Sequence, residues 1–175
     1  MKQAYYMSFK STATSELKKQ ITKMAKYQTI KQAAPSYYVG LDVGTQTGVA
    51  VYHTPTKQLT YIKTMGIYQA IKHIERLSEE YAIHVRIEDP TTWVGFKKLP
   101  AKESNSRLQG AGSVKRDFAI WLEVLAALEI PFTKVRLQGT LKKLKSDAFA
   151  KITGYKGATS VHGRDAAMLV FGINN

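Results

Sequence analysis

The chain of 175 residues contains no cysteine. Disulfide bonds, thiolate zinc sites and cysteine nucleophiles are therefore excluded, and any metal must be held by carboxylates, histidine and water. Such ligands favour hard ions, here Mg²⁺ with Mn²⁺ able to substitute. The sequence also lacks an apolar run approaching the roughly 18 residues of a membrane helix. We therefore expect a cytoplasmic protein with no membrane partner.

Acidic residues are scarce as well. The chain has 13 Asp and Glu against 26 Lys and Arg, which gives a formal net charge of +13. An excess of this size usually indicates a polyanionic partner, and we favour nucleic acid over a membrane surface.

Residues 1–35 contain no arginine, yet they carry seven lysines against the single acid Glu16. This composition predicts a separate basic arm, helical over Ser15–Gln32 and ending at Pro35. A disordered solubilising tail, a DNA-contacting arm and an arm exchanged between two subunits all remain open for it. Residues 36–175 are expected to form one domain.

The pattern from Tyr37 onward predicts an α/β domain with a mixed five-stranded sheet flanked by helices. Three short apolar runs separated by turn-like residues indicate an antiparallel meander, after which helices and strands alternate. The expected strands are Tyr37–Val43, Val49–His53, Leu59–Thr64, His84–Glu88 and Phe132–Leu137. The expected helices are Gly66–Tyr81, Ala111–Glu129, Leu144–Thr153 and Val161–Phe171, and residues 89–110 are expected to form a long loop.

Three acids stand in apolar surroundings. Asp42 lies in an apolar strand within Gly40–Gly48, where burial is costly unless a metal or hydrogen bonds compensate. The glycines let the following turn fold tightly and admit a phosphate. Glu88 ends a second apolar strand, and Asp89 beside it is a rival or auxiliary ligand. A turn cap for Asp42 and an ordinary strand end for Glu88 are the structural alternatives.

The third acid, Asp165, follows His162 by three residues on an expected helix, so the two side chains share a face. An N-cap role is the structural alternative for either residue. In a mixed sheet with a covering helix, the three acids can converge. Two divalent ions held by such carboxylates would activate a water and stabilise the leaving 3′ oxygen.

Three blocks of the sequence resemble the RuvC family of Holliday-junction resolvases, especially its bacteriophage and prophage branch. The blocks are Gly40–Ala50, Arg107–Asp117, and Ile152–Gly157 followed by His162–Val170. The resemblance covers residues 38–172 and leaves out the arm. It implies an RNase H-like fold, a homodimer, and two symmetric nicks across a four-way DNA junction, in a bacterial or phage-infected cytoplasm.

The resemblance also implies roles for individual residues. The family's first, second and last acids fall on Asp42, Glu88 and Asp165, which are the expected metal ligands. Where the family often has another acid, this chain has His162, expected as a ligand, general base or phosphate contact. A lysine near the scissile phosphate aligns with Lys143, although Lys142 and Lys145 stand close to it in the sequence.

The expected DNA contacts lie around the start of the long helix. Free N–H groups at a helix start bind phosphate, and neighbouring cations strengthen such a site. A glycine hinge capped by Ser113 is the alternative. The residues concerned are Gly110, Gly112, Ser113, Lys115 and Arg116, with Lys97, Lys98 and Arg107 in the preceding loop. The apolar residues Ile120 and Val124 are left over to meet a second subunit.

Other classes share some of these features. A YqgF-type RNA nuclease shares the opening Asp42–Thr45, but the later blocks fit it poorly. A sugar-kinase or actin-like ATPase shares the loop Asp42–Gly48, but it needs two such domains, so no nucleotide cofactor is expected. For a non-catalytic binder of branched DNA, keeping three acids in apolar surroundings near a polyanion would be costly.

Overall fold

The computed structural model describes residues 15–26, 28–30, 33–92, 101–137 and 139–173. The chain divides into two units, Met1–Ala34 and Pro35–Asn175. In the first unit, residues 15–26 form helix α1, on which Leu17, Ile21 and Met24 are exposed. Within the described ranges, no helix combines the length and the apolar character needed to cross a membrane.

The second unit contains a five-stranded sheet with the order β3-β2-β1-β4-β5. The pairs β1–β2 and β2–β3 are antiparallel, whereas β1–β4 and β4–β5 are parallel. The expected meander and the mixed five-stranded sheet flanked by helices are thus confirmed. The strands are β1 (Tyr37–Asp42), β2 (Gln46–His53), β3 (Gln58–Gly66), β4 (Ile83–Glu88) and β5 (Phe132–Val135). The helices are α2 (Ile67–Glu80), α3 (Ala101–Ala127), α4 (Ser146–Thr153) and α5 (Val161–Met168), with 3₁₀ turns at Pro90–Thr92 and Gly139–Leu141.

Each face of the sheet carries its own hydrophobic core, because successive strand residues point to opposite faces. On one face, Val39 and Leu41 of β1 are buried with residues of α2 and α3. On the other face, Ala50 and Tyr52 of β2 are buried with residues of α4 and α5. Each fully buried Val, Leu or Ile contributes about 1.5–3 kcal/mol, so both layers of helices are held mainly by apolar burial.

Two glycines let α5 lie directly on the sheet. A Cβ atom at Gly40 would stand 1.9 Å from the backbone oxygen of Ala166, and one at Gly48 would stand 2.1 Å from that of His162. The buried Ala166 and Ala167 complete this contact from the helix side. Gly40 and Gly48 therefore allow a helix to pack closely on the sheet. From the sequence, the glycines of this motif were expected to allow a tight turn and to admit a phosphate.

The loop expected over residues 89–110 is wrong for residues 101–110, and its residues 93–100 lie outside the described part of the chain. Helix α3 already begins at Ala101 and runs for 27 residues, so Gly110 and Gly112 lie inside it. A glycine inside a helix costs about 0.5–1 kcal/mol relative to alanine. The helix continues through both glycines because this cost is modest beside the apolar burial of its second half.

The second half of α3 packs as the sequence predicted. Phe118, Trp121 and Leu125 are buried in the core that α3 shares with α2. Ile120 and Val124 are only half-buried, and they belong to neither hydrophobic core. Their part of the helix surface is therefore free of core packing.

Candidate active site

Asp42 and Glu88 lie side by side at the carboxyl ends of two neighbouring strands. β1 and β4 are parallel, with Leu41 paired to Ile87, so the two acids that follow occupy equivalent positions on the same face. Asp42 is 9% exposed and Glu88 is 3% exposed. The sheet therefore brings together the first two acids that the sequence had singled out.

The carboxyl of Asp42 lies in surroundings that disfavour its charged form. Burial, opposed by the hydrogen bond from His162 and reinforced by the neighbouring Glu88, raises the pKa of Asp42 from 3.8 to about 7. Two carboxyls within hydrogen-bond reach cannot both ionise easily, so they tend to share a proton. A cation could replace that proton.

Helix α5 adds His162 to the pair. Its Nδ1 atom lies 2.7 Å from Oδ2 of Asp42, and its imidazole is 56% exposed. The helix is capped by Ser160, whose hydroxyl accepts a hydrogen bond from the N–H of Gly163 at 2.9 Å. An N-cap role for His162 or Asp165 is therefore wrong, and Asp42 is directed at His162 and Glu88 rather than capping its own turn.

Asp165 is buried one helical turn further along α5. Its Oδ1 atom accepts a hydrogen bond of 2.7 Å from the backbone N–H of Lys143. Burial raises the pKa of Asp165 despite this bond, and the charge of Glu88 raises it further. The third acid thus belongs to the same electrostatic cluster as the first two.

The lysine at this cluster is Lys142, not Lys143. The ammonium of Lys142 forms an ion pair with Oε1 of Glu88. Lys143 contacts the cluster through its backbone N–H. The residue is exposed, and its backbone adopts the left-handed conformation with φ of 53°. The lysine side chain that reaches the cluster is thus that of Lys142, and a role for either lysine beside a phosphate stays a prediction.

Arg164 is a buried residue that the sequence analysis missed. Its Nε atom donates a hydrogen bond of 2.7 Å to the backbone oxygen of Leu144. Its Nη1 atom donates one of 2.7 Å to the backbone oxygen of Thr159. It therefore ties α5 to the segment that carries Lys142. An arginine beside Gly163, Ala166 and Ala167, on a helix expected to lie close to the sheet, was the available signal, because an arginine is rarely buried without partners.

The donor set of this cluster fits a hard divalent cation. Three carboxylates and one imidazole are the ligand types that Mg²⁺ and Mn²⁺ accept, and a bound cation would offset the burial that raises the pKa of Asp42. Each acid is partnered by protein instead: Glu88 by Lys142, Asp42 by His162, Asp165 by a backbone N–H. As these side chains stand, no three acid or histidine groups in the described residues are placed to hold one ion.

Asp89 is directed away from this cluster. Its Oδ1 atom accepts hydrogen bonds from the N–H and the hydroxyl of Thr91, at 2.8 and 2.6 Å, at the start of the 3₁₀ turn. Asp89 therefore organises the chain that leaves β4. Glu88 is the acid of this pair that faces Asp42.

The expected phosphate site at a helix start is wrong. Gly110, Gly112 and Ser113 lie inside α3, where backbone N–H groups are used by the helix. Lys115 and Arg116 are exposed on the same helix, so their expected contact with DNA stays a prediction. Arg107 belongs to α3 by its backbone, while Lys97 and Lys98 lie outside the described residues.

Comparison with known proteins gives no family assignment. No protein-family model matches the chain, and no curated protein sequence matches it. The chemistry available to the cluster therefore follows from its own residues, which are Asp42, Glu88, His162 and Asp165.

Proposed function

We propose that this protein is a metal-dependent endonuclease with an RNase H-like fold that cuts branched DNA, as the resemblance to RuvC resolvases implies. The observation that carries the proposal is the convergence of Asp42, Glu88 and Asp165, from two strands and a helix, into one buried acidic cluster. The net charge of +13 supports a polyanionic substrate. The mixed sheet with helices on both faces is compatible with that fold.

The chain's own residues divide the work of phosphodiester hydrolysis. Asp42, Glu88 and Asp165 would hold the metal ions, which when bound supply water activation and stabilisation of the leaving oxygen. Asp42 orients the imidazole of His162 through Nδ1 and leaves Nε2 to contact water or phosphate. Lys142 lies at Glu88 and would contribute positive charge beside the phosphate.

The test is cleavage of end-labelled four-way junctions, three-way junctions, flaps, linear duplex and RNA in the presence of Mg²⁺, Mn²⁺ or EDTA. We expect metal-dependent cutting of branched DNA and little cutting of duplex. Preferential cutting of RNA would favour the YqgF-type alternative. Tight junction binding without cutting in either metal would favour a non-catalytic binder.

We also propose that the protein acts as a homodimer, since two symmetric nicks need two active sites. The half-buried Ile120 and Val124, which belong to neither core, are the residues of α3 available for such a contact. Light scattering of the purified chain measures its mass directly. A monomer at the concentrations that give cleavage would remove this part of the proposal.

A further inference from the structure

A groove lies between edge strand β3 and helix α2, on the face of the sheet opposite Asp42 and Glu88. Its volume is about 920 Å³, and its walls include Tyr61, Lys63, Tyr68, His73 and Arg76. That volume is within the range of pockets that bind small molecules. Because β3 is the first strand in the sheet order, the groove opens at the border of the domain.

Aromatic rings line this groove. Tyr61 and His73 stack with their ring centroids 4.6 Å apart and their planes at 19°, and the ammonium of Lys63 stands 5.8 Å from the Tyr61 centroid. Tyr68 at the start of α2 is 70% exposed. Its ring is a large flat surface that the domain itself leaves uncovered, and such a surface can stack on a planar ligand.

The free charges of the groove are mainly positive. Lys63 and Arg76 have no ion-pair partner in the described part of the chain, whereas Lys72 is paired with Glu75 at 2.7 Å. Glu79 is the remaining acid. Burial lowers the pKa of His73, and Lys63 and Arg76 lower it further with no acid opposing them, so positive potential prevails at that ring.

One polar atom of the groove wall lacks a partner. Nε2 of His73 is buried and makes no hydrogen bond within the described residues. Leaving a buried polar atom unpaired is unfavourable, so a water or a turn of the imidazole that paired it would be favourable. An exposed aromatic ring and two cations without an ion-pair partner in the described residues together match a ligand with a planar ring and an anionic group.

We propose that the groove between β3 and α2 binds unpaired nucleotides of a nucleic-acid strand, with a base stacked on Tyr68 and phosphates near Lys63 and Arg76. Stacking on exposed aromatic rings beside cations is how proteins hold single strands without reading their sequence. The proposal rests on the proposed function only for the source of the strand, which a branched DNA would supply.

The groove is also connected to the active-site helix. Thr64, in the groove wall, has its hydroxyl 2.5 Å from that of Ser160, which caps the helix carrying His162 and Asp165. A strand lying in the groove would have to pass the edge of the sheet at β3 to reach the face that holds the acids.

The test measures the affinity of the full-length protein for a fluorescein-labelled oligothymidine and for a duplex of equal length, in EDTA. We expect Tyr68→Ala to weaken single-strand binding by about 10-fold or more, and Tyr68→Phe, which keeps the ring, to bind like wild type. Arg76→Gln should weaken binding more than Lys151→Gln, a control at an exposed lysine of α4.

Equal affinities for Tyr68→Ala and Tyr68→Phe would overturn the proposal, and so would an equal loss of duplex binding in Tyr68→Ala. These outcomes are independent of cleavage. If the protein cuts no nucleic acid and Tyr68→Ala still loses single-strand binding, the proposed nuclease fails and the groove stands. If the protein cuts junctions and Tyr68→Ala binds single strands normally, the proposed nuclease stands and the groove proposal fails.

Discussion

At the scale of single residues, the candidate site depends on how the charge of three buried acids is balanced. Glu88 is paired with the ammonium of Lys142, Asp165 with a backbone N–H, and Asp42 with the imidazole of His162. The pKa of Asp42 is raised to about 7, because burial and Glu88 outweigh His162. Ionisation of Asp42 therefore opposes folding when no cation is added.

This imbalance predicts how stability depends on pH in EDTA. The pKa of Asp42 is about 7 in the folded chain against an ordinary 3.8. The contribution of Asp42 to the free energy of unfolding is fully present below pH 3.8, its ordinary pKa. That contribution is lost as the pH rises through the pKa of about 7 in the folded chain. The resulting loss is up to about 4 kcal/mol. Asp42→Asn should therefore be more stable than wild type at about pH 8, and its stability should vary less with pH.

Urea denaturation across that pH range measures the effect. Asp147→Asn, at an exposed acid in the first turn of α4, is the matched control and should follow wild type. Adding Mg²⁺ should stabilise wild type more than Asp42→Asn. If wild type gains stability as pH rises from the ordinary to the folded pKa, the charge argument is wrong.

The adjacent lysines give a second prediction at this scale. Lys142→Met removes the ammonium at Glu88, so single-turnover cleavage of a junction should fall by about 100-fold, as when one charge-stabilising donor is removed. Lys143→Met keeps the backbone N–H that Asp165 uses, and cleavage should change little. Quenched-flow rates at saturating enzyme make the comparison, and a greater loss in Lys143→Met would contradict this structure.

The sequence allowed the acids to be predicted but not the lysine. An acid in an apolar strand is conspicuous because its burial is costly, which is why Asp42 and Glu88 could be singled out. Lys142 and Lys143 are neighbours of the same type in a turn. Which ammonium reaches Glu88 depends on the left-handed backbone of Lys143, and lysine itself has no preference for that conformation.

At the scale of elements, the site depends on the close approach of α5 to the sheet. Gly40→Ala would place a Cβ 1.9 Å from the oxygen of Ala166, and a backbone atom cannot move away cheaply. We expect a loss of about 3 kcal/mol or more in the free energy of unfolding. Gly44→Ala is the matched control, because its Cβ would meet its nearest neighbour at an ordinary 3.6 Å.

Chemical denaturation of the two variants provides the comparison. The Gly40→Ala protein that remains folded should also cut junctions more slowly than Gly44→Ala, because α5 carries His162 and Asp165. Similar stabilities for the two variants would mean that α5 adjusts to a methyl group at Gly40, and that its contact with β1 is not tight.

Element boundaries show where prediction from sequence fails. The alternating strands and the apolar face of α2, including Ala70 and Ile74, were predicted because burial imposes a regular period. The start of α3 was placed ten residues late because Gly110 and Gly112 were taken as a helix start. Both sit where a Cβ would meet nothing, so their only effect is a modest cost in helix propensity.

At the scale of the whole molecule, charge is distributed between the two units. Residues 1–35 hold seven lysines and one glutamate, so they contribute about half of the net charge of +13. Each phosphate contact changes the slope of log affinity against log salt by about −0.9. The affinity for a junction should therefore fall steeply with salt, and removal of residues 1–34 should weaken binding and flatten the slope.

Sizing by light scattering must precede that measurement. A truncated protein that keeps the mass of the full-length assembly and cuts normally at saturating enzyme supports an arm that adds affinity. Loss of the assembly on truncation would show that the arm completes it. A salt slope unchanged by truncation would show that the lysines of residues 1–34 do not contact phosphates.

The central claim is that Asp42, Glu88 and Asp165 hold the metal ions that cut branched DNA. The most direct measurement compares single-turnover cleavage of a four-way junction with junction affinity, in Mg²⁺, for wild type, Asp42→Asn and the control Asp147→Asn. We expect Asp42→Asn to bind the junction as tightly as wild type without cutting it, and Asp147→Asn to bind and cut it like wild type. Cleavage by Asp42→Asn at the wild-type rate would contradict the account.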